Sequence, residues 1–286
     1  MSDNSIFPQP SRRAFLKGAT TVGAGLAFTG AAAAEGDPLI LETQPWAQEF
    51  GEGVDATPYG LPIEYEVDVV RRNVEWLTAD TISSINFTPI HALDGTITPQ
   101  GCAFERHHSG AIEMRKEDYR LMINGMVDTP LVFTYEDLER FPRENHVYFC
   151  ECAANTGMEW AGAQLNGVQF THGMIHNMEY TGVPLRTLLR EAGADISADK
   201  WVYVEGADAS SNGRSIPMEK ALDDVLVAFK ANGEALRMEH GYPVRLVVPG
   251  WEGNMWVKWL RRIQVSDSAV ESREETSKYT DVYEDG

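Results

Sequence analysis

The chain has 286 residues, with 24 basic and 43 acidic side chains and a formal net charge of −19. That length suits one large domain or two small ones with a sizeable core, and that charge disfavours nucleic acid and anionic lipid as partners. The three cysteines, Cys102, Cys150 and Cys152, leave at least one thiol unpaired, and no Cys-x-x-Cys-His for a c-type haem or paired Cys-x-x-Cys for zinc occurs.

The N-terminus reads Ser11-Arg12-Arg13-Ala14-Phe15-Leu16-Lys17, then a run of small and weakly apolar residues that ends in Ala31–Ala34. The run is too short and too glycine-rich for a membrane span, and the alanines offer a cleavage site. The order of arginine pair, apolar run and cleavage site marks residues 1–34 as a twin-arginine export signal, which places the mature protein in the periplasm with no membrane span. That pathway carries folded proteins and serves those that receive a cofactor before export. About 250 residues remain, with 21 basic and 42 acidic side chains, net −21. Solubility alone explains such a surface; it would also steer a basic protein partner.

Residues 35–62 read as an extended arm, and Glu64 to Ile82 holds a weak extended pattern. Tyr119 to Asn124 alternates as a strand does, and Gly125 to Pro130 turns the chain. Thr134 followed by Asp137 forms a capping-box pattern that opens a short helix ending at Pro142. His146 to Cys150 is apolar and β-prone, the pattern of a buried strand. Pro184 to Ala192 reads as a helix with Pro at its first turn and Gly193 beyond its end. Trp201 to Val204, Val225 to Phe229, Pro243 to Val248 and Val257 to Val265 read as further strands. Strands and short helices mix without a βαβ rhythm, so the sequence predicts an α+β fold of mixed sheets and short helices.

Three segments hold candidate chemistry. Arg106-His107-His108-Ser109-Gly110 could bind an anion or form an exposed basic loop. Cys150-Glu151-Cys152-Ala153-Ala154-Asn155 places a thiol where a strand meets a loop of small residues; there it is a soft metal ligand or a buried structural cysteine. Between His240 and Leu260, the strand carrying Arg245 leads through a glycine-containing loop to Lys258. That arrangement can cradle a phosphate, since glycines admit backbone N–H groups and the cations neutralise charge.

Together these motifs resemble the molybdopterin domain of the sulfite oxidase family, and within it the molybdenum subunit of Sox-type sulfane dehydrogenases. The resemblance runs from about Tyr59 to the C-terminus. It rests on Arg-x-His-x-Gly at 106–110, Cys-Ala-x-Asn at 152–155, His-Gly-Tyr-Pro-Val-Arg at 240–245 and Val-Lys-Trp-Leu at 257–260, in the family's order. It implies a molybdenum–molybdopterin cofactor with Cys152 as the single protein ligand to the metal. It implies that Phe104, Glu105, Arg106, His107 and His108 line the cofactor loop, and that Asp208, His240, Arg245, Trp256, Val257 and Lys258 hold the pterin and its phosphate. Arg106 would also face the substrate, and Tyr279 would be an active-site tyrosine. The domains implied are the signal at 1–34, the arm at 35–62, the molybdopterin domain at 63–268, and at 269–286 a linker or the start of the family's C-terminal dimerisation domain. Neither that domain nor the family's b-type haem module has a counterpart in the sequence, which leaves the oligomeric state open.

The implied reaction is oxidation of sulfite or of a sulfane sulfur on a carrier protein by oxygen-atom transfer, with electrons passing to a c-type cytochrome. Two other readings are an exported methionine-sulfoxide-reductase-type molybdoenzyme and a non-catalytic exported anion-binding protein.

Overall fold

The computed structural model describes residues 50, 54, 56, 60–73, 84–277 and 279. The export signal and most of the N-terminal arm lie outside the described residues, as do residues 74–82 of the weak extended pattern; its described part holds a 3-10 turn at Glu64–Glu66 and a two-residue strand at Arg72–Asn73. Among the described residues no helix is long and apolar enough to cross a membrane. The described chain beyond Ala56 belongs to one compact unit, Thr57–Gly286.

Its strands are β1 (Arg72–Asn73), β2 (Asn86–Phe87), β3 (Arg120–Gly125), β4 (Leu131–Thr134), β5 (Glu144–Glu151), β6 (Ile175–Pro184), β7 (Trp201–Gly206), β8 (Gly213–Pro217), β9 (Leu226–Ala231), β10 (Glu234–Ala235), β11 (Arg245–Val247) and β12 (Leu260–Ser266). The helices are α1 (Tyr135–Arg140), α2 (Val168–His172), α3 (Leu185–Glu191), α4 (Met218–Asp223) and α5 (Arg273–Ser277), joined by several single 3-10 turns. One sheet runs β4-β3-β12-β7-β8, with β3 and β12 parallel and the other pairs antiparallel. A second runs β5-β6-β9, and β10 and β11 lie on the far side of β9. β1 and β2 form a separate antiparallel pair. The α+β fold of mixed sheets and short helices is thus the observed one.

Local chemistry accounts for the elements. On β3 the inward Leu121 and Ile123 are buried and Met122 is exposed, the period-2 pattern of a half-covered strand. Thr134 caps α1 through its hydroxyl, which accepts from the Asp137 N–H at 3.1 Å, while the Asp137 carboxylate accepts from the Thr134 N–H at 3.0 Å. α3 buries Leu185, Leu188 and Leu189, neighbours on one helical face, and Gly193 takes the left-handed conformation that ends it. Val202, Val204, Ile216 and Ile263 of one sheet and Met178, Tyr180, Val227 and Phe229 of the other join one core with those leucines.

Three expectations change. His146 to Cys150 is a strand, but its side chains are mostly uncovered: Val147 and Phe149 are half exposed and only Cys150 is buried. β5 pairs with β6 alone among the described strands, and apolar β-prone composition does not reveal whether a second neighbour covers an edge. The strand expected from Val257 begins only at Leu260, because Trp259 has φ +50° and breaks the extended run. β6, the longest strand, was not anticipated. Its His, Asn, Glu and Thr interrupt the apolar pattern, and Gly182 passes so close to β9 that a Cβ would stand 2.4 Å from the Val227 carbonyl oxygen.

Candidate active site

A single cavity collects the ends of several elements. The loop after β2 contributes Phe104, Glu105, Arg106 and His108; β5 and its exit contribute Cys150 and Cys152; β6 contributes His176. The segment around β11 supplies Glu239, His240 and Arg245, and the β11–β12 loop supplies Trp256 and Lys258. Tyr279 closes one side.

Cys150 stands opposite His176 in the β5–β6 ladder, facing the interior. The strand ends at Glu151, so Cys152 does not continue that face; it lies half buried at the start of the loop. The loop is pinned at several points. The Cys152 N–H donates to the Met174 carbonyl at 2.9 Å, and Asn155 accepts from the Met174 N–H at 3.0 Å and donates to Glu151 at 2.9 Å. These bonds give Cys-Ala-x-Asn its physical meaning: the asparagine holds the loop that presents the thiol. Burial raises the Cys152 thiol pKa, whereas the Ala154 N–H and the Arg106 charge draw it down. Cys150, fully buried, is pushed up to about 12 and is the more inert thiol. All three cysteines are free.

Lys258 is the hub of the cationic side. Its ammonium donates to the carbonyls of Arg106 at 3.0 Å and Glu239 at 3.1 Å and to Nδ1 of His107 at 2.8 Å. His107 therefore carries its proton on Nε2 and gives it to Glu105, whose carboxylate also accepts from Asn86 at 2.6 Å and Ser84 at 2.9 Å. Gly241, at φ +102°, lets the His-Gly-Tyr-Pro turn pass against Lys258; a Cβ there would meet the Lys258 Cβ at 3.0 Å. Arg245 is buried and donates to the carbonyls of His240 at 3.2 Å and Trp256 at 3.1 Å. Among the described residues no carboxylate lies within ion-pair distance of Arg245 or Lys258. Burial, then the Arg245 charge, lowers the Lys258 pKa to about 7. Buried Arg245 and part-buried Lys258 share one cavity, and neither is in an ion pair among the described residues, which suits an anion.

Arg106 lies at the same cavity, partly buried, with its guanidinium on the His107 carbonyl and 3.4 Å from Nδ1 of His108. The Arg106–Gly110 segment is therefore folded into the site and is not a free basic loop. Tyr279 is partly buried beside the Arg214 guanidinium, which stands 5.2 Å from its ring, and burial, with Cys152 nearby, raises its pKa.

Of the residues expected at the site, Phe104, Glu105, Arg106, His108, Cys152, His240, Arg245, Trp256, Lys258 and Tyr279 line the cavity. His107 stands one layer back, under Lys258 and stacked on Trp259. Val257 is in the core, and the Asp208 carboxylate is occupied by the hydroxyls of Ser109, at 2.9 Å, and Ser210; neither lines the cavity. Sequence reasoning assigned no role to His176, Glu239, Asn212 or Asn254, which do line it. Glu239 adjoins His240 and could have been found; His176 lay in an unrecognised strand, and the two asparagines carried no signal.

Residues 108–274 match the model of a protein family described as the oxidoreductase molybdopterin binding domain. The crystal structure of the sulfane dehydrogenase SoxCD from Paracoccus pantotrophus superposes with a TM-score of 0.80 and 73% identity, over 88% of this chain and 64% of that one. The mitochondrial sulfite oxidase of Drosophila melanogaster is 33% identical over 190 residues, covering 64% of this chain and 33% of that protein. The NADPH nitrate reductase of Phytophthora infestans is 35% identical over 232 residues, covering 77% of this chain and 25% of that protein. The chain thus spans about a third or less of the length of these two curated relatives.

Proposed function

The chain belongs to the family of oxidoreductases with a molybdopterin-binding domain, and from that premise we propose that it oxidises sulfite or a carrier-bound sulfane sulfur in the periplasm and passes the electrons to a c-type cytochrome. A molybdopterin-binding domain implies a molybdenum cofactor, and the cavity suits one. Its thiol matches a soft metal, its buried cations match a phosphate, and the imidazoles of His176 and His240 each keep a buried Nδ1 without a hydrogen-bond partner among the described residues.

When bound, the cofactor supplies two-electron oxygen-atom exchange with sulfur; the chain supplies position and charge. Cys152 would hold the metal. Arg245 and Lys258 would neutralise the pterin phosphate, and an anion there would restore the ammonium that burial disfavours. Arg106 would orient an anionic substrate through two parallel N–H donors. Tyr279, kept protonated by burial, would offer a hydroxyl proton at the same mouth. The net charge of −21 after the signal favours a basic electron acceptor such as a c-type cytochrome.

The observation that carries this reading is the pair of cations, buried Arg245 and part-buried Lys258, neither in an ion pair among the described residues, in the cavity that Cys152 lines. The sulfur-oxidising direction is favoured over the nitrate-reducing one by the 73% identity to the sulfane dehydrogenase against 35% to the nitrate reductase. The test is purification from a molybdenum-replete host, metal and pterin analysis, and rates of cytochrome c reduction with sulfite and with sulfane donors, beside nitrate reduction. A protein that holds no molybdenum, or that reduces nitrate faster than it oxidises sulfur, overturns the proposal.

A further inference from the structure

His176 projects from β6 between two rings of the cavity, that of Phe104 at 5.0 Å and that of His240 at 5.9 Å between centroids. The imidazole is buried, and its Nε2 lies 2.9 Å from the hydroxyl of Tyr180. That hydroxyl is also buried and has no other acceptor among the described residues. A buried O–H must donate, so Tyr180 donates to Nε2 and the single proton of His176 rests on Nδ1. The ring stays neutral, since burial and Arg245 hold its pKa at about 3. His240 has the opposite tautomer. Its Nε2 meets the Phe104 carbonyl at 3.3 Å and must carry the proton, which leaves Nδ1 as a bare lone pair. Both Nδ1 atoms are buried without partners, and both residues line the cavity. The lining therefore holds one neutral donor and one neutral acceptor, on rings whose centroids are 5.9 Å apart, in the cavity that Arg245 and Lys258 also line.

We infer that His176 is a cofactor-contact residue: its Nδ1–H donates to an acceptor heteroatom of the pterin, and Tyr180 fixes the tautomer that makes it a donor. This rests on the reading of the cavity as the cofactor site. The contact suits a neutral acceptor, because a third cation beside Arg245 and Lys258 would have no counter-charge. A trapped water could satisfy the same two nitrogens, and the test separates these cases.

Full-length protein would be produced in cofactor-replete and cofactor-deficient hosts as wild type, His176→Leu, His176→Asn and Tyr180→Phe. The readouts are molybdenum and pterin content, and the thermal midpoint with and without cofactor. His176→Leu removes the donor; His176→Asn keeps an N–H near the δ position. Losing one neutral hydrogen bond of this kind should lower retention by up to about tenfold. We expect His176→Leu to fold without cofactor but somewhat less stably than wild type, since the Tyr180 hydroxyl loses its acceptor. It should lose a measurable part of the midpoint rise that cofactor gives. His176→Asn should recover retention, and Tyr180→Phe should fall between. Equal cofactor content and an equal midpoint rise in His176→Leu and wild type overturn the inference and leave the water as occupant. If His176→Leu does not fold without cofactor, as a merely structural residue would make it, the inference also fails unless His176→Asn and Tyr180→Phe fold normally and keep the stated order of retention. A wild type that binds no cofactor would instead refute the functional reading itself.

Discussion

Lys258 donates to Nδ1 of His107 at 2.8 Å, and His107 passes its own proton on to Glu105, so a buried ammonium is tied through an imidazole to a buried carboxylate. The arrangement orients Lys258 without neutralising it, because the carboxylate is one residue removed. Burial still outweighs the distant acids and lowers the Lys258 pKa from 10.5 to about 7.

The consequence is a pH dependence of stability. Between about pH 7 and 10.5 the unfolded chain holds a proton at Lys258 that the folded, cofactor-free protein has shed, so stability rises with pH across that window. A bound phosphate favours the ammonium and removes this slope. Stabilisation by cofactor should therefore be greatest near neutral pH and shrink toward pH 10. Lys258→Met should flatten the cofactor-free profile. Thermal midpoints of wild type and variant from pH 6 to 10 check this; parallel profiles would contradict it.

Cys152→Ser should abolish turnover while the pterin still binds, because a serine hydroxyl is a poor, mostly protonated ligand and the cations remain. Cys150→Ser should keep activity and cost about 1–3 kcal/mol of stability, the price of a newly buried and poorly paired hydroxyl. Metal analysis, pterin fluorescence and denaturant unfolding distinguish the two. A dead Cys150→Ser beside a live Cys152→Ser would reverse their roles.

Much of the site was legible because its residues cluster in short motifs. The Asn155 hydrogen bonds and the Gly241 approach to Lys258 require particular residues at particular spacing, and such requirements leave marks in sequence. The capping box at Thr134 was legible for the same reason. What escaped depends on distant neighbours. β6 is covered by strands fifty residues downstream, so its polar residues could be buried; without that strand His176 had no address. The Ser109 and Ser210 hydroxyls on the Asp208 carboxylate, one of them from 99 residues away, likewise had no signal in the sequence. The uncovered side chains of β5 also depend on what packs over that strand, which its apolar composition does not record.

Replacing Arg12 and Arg13 with lysine should leave the protein in the cytoplasm, since the pair is the distinguishing feature of the expected export signal. Fractionation of cells, with the N-terminus of the exported form determined by mass spectrometry, checks this. Export at an unchanged level would remove the basis for a periplasmic site of action, and a mature start far from Glu35 would displace the cleavage site.

Arg106 and Arg245 should separate substrate binding from cofactor binding. Arg106 borders the cavity with its guanidinium on the His107 carbonyl and near His108, whereas Arg245 is buried on the His240 and Trp256 carbonyls. Arg106→Gln keeps roughly the length and loses the charge. A hydrogen bond to a charged group contributes about 1.5–3 kcal/mol, and about 1.4 kcal/mol is a decade in rate. The variant should therefore lose one to two decades in kcat/KM for an anionic sulfur substrate, with molybdenum content unchanged. Arg245→Gln leaves two buried carbonyls without their donors and takes away a phosphate counter-charge, so it should lower cofactor content itself. If Arg106→Gln purifies without molybdenum, or turns over normally, then Arg106 serves the cofactor or the loop, and the substrate anion must be bound elsewhere in the cavity.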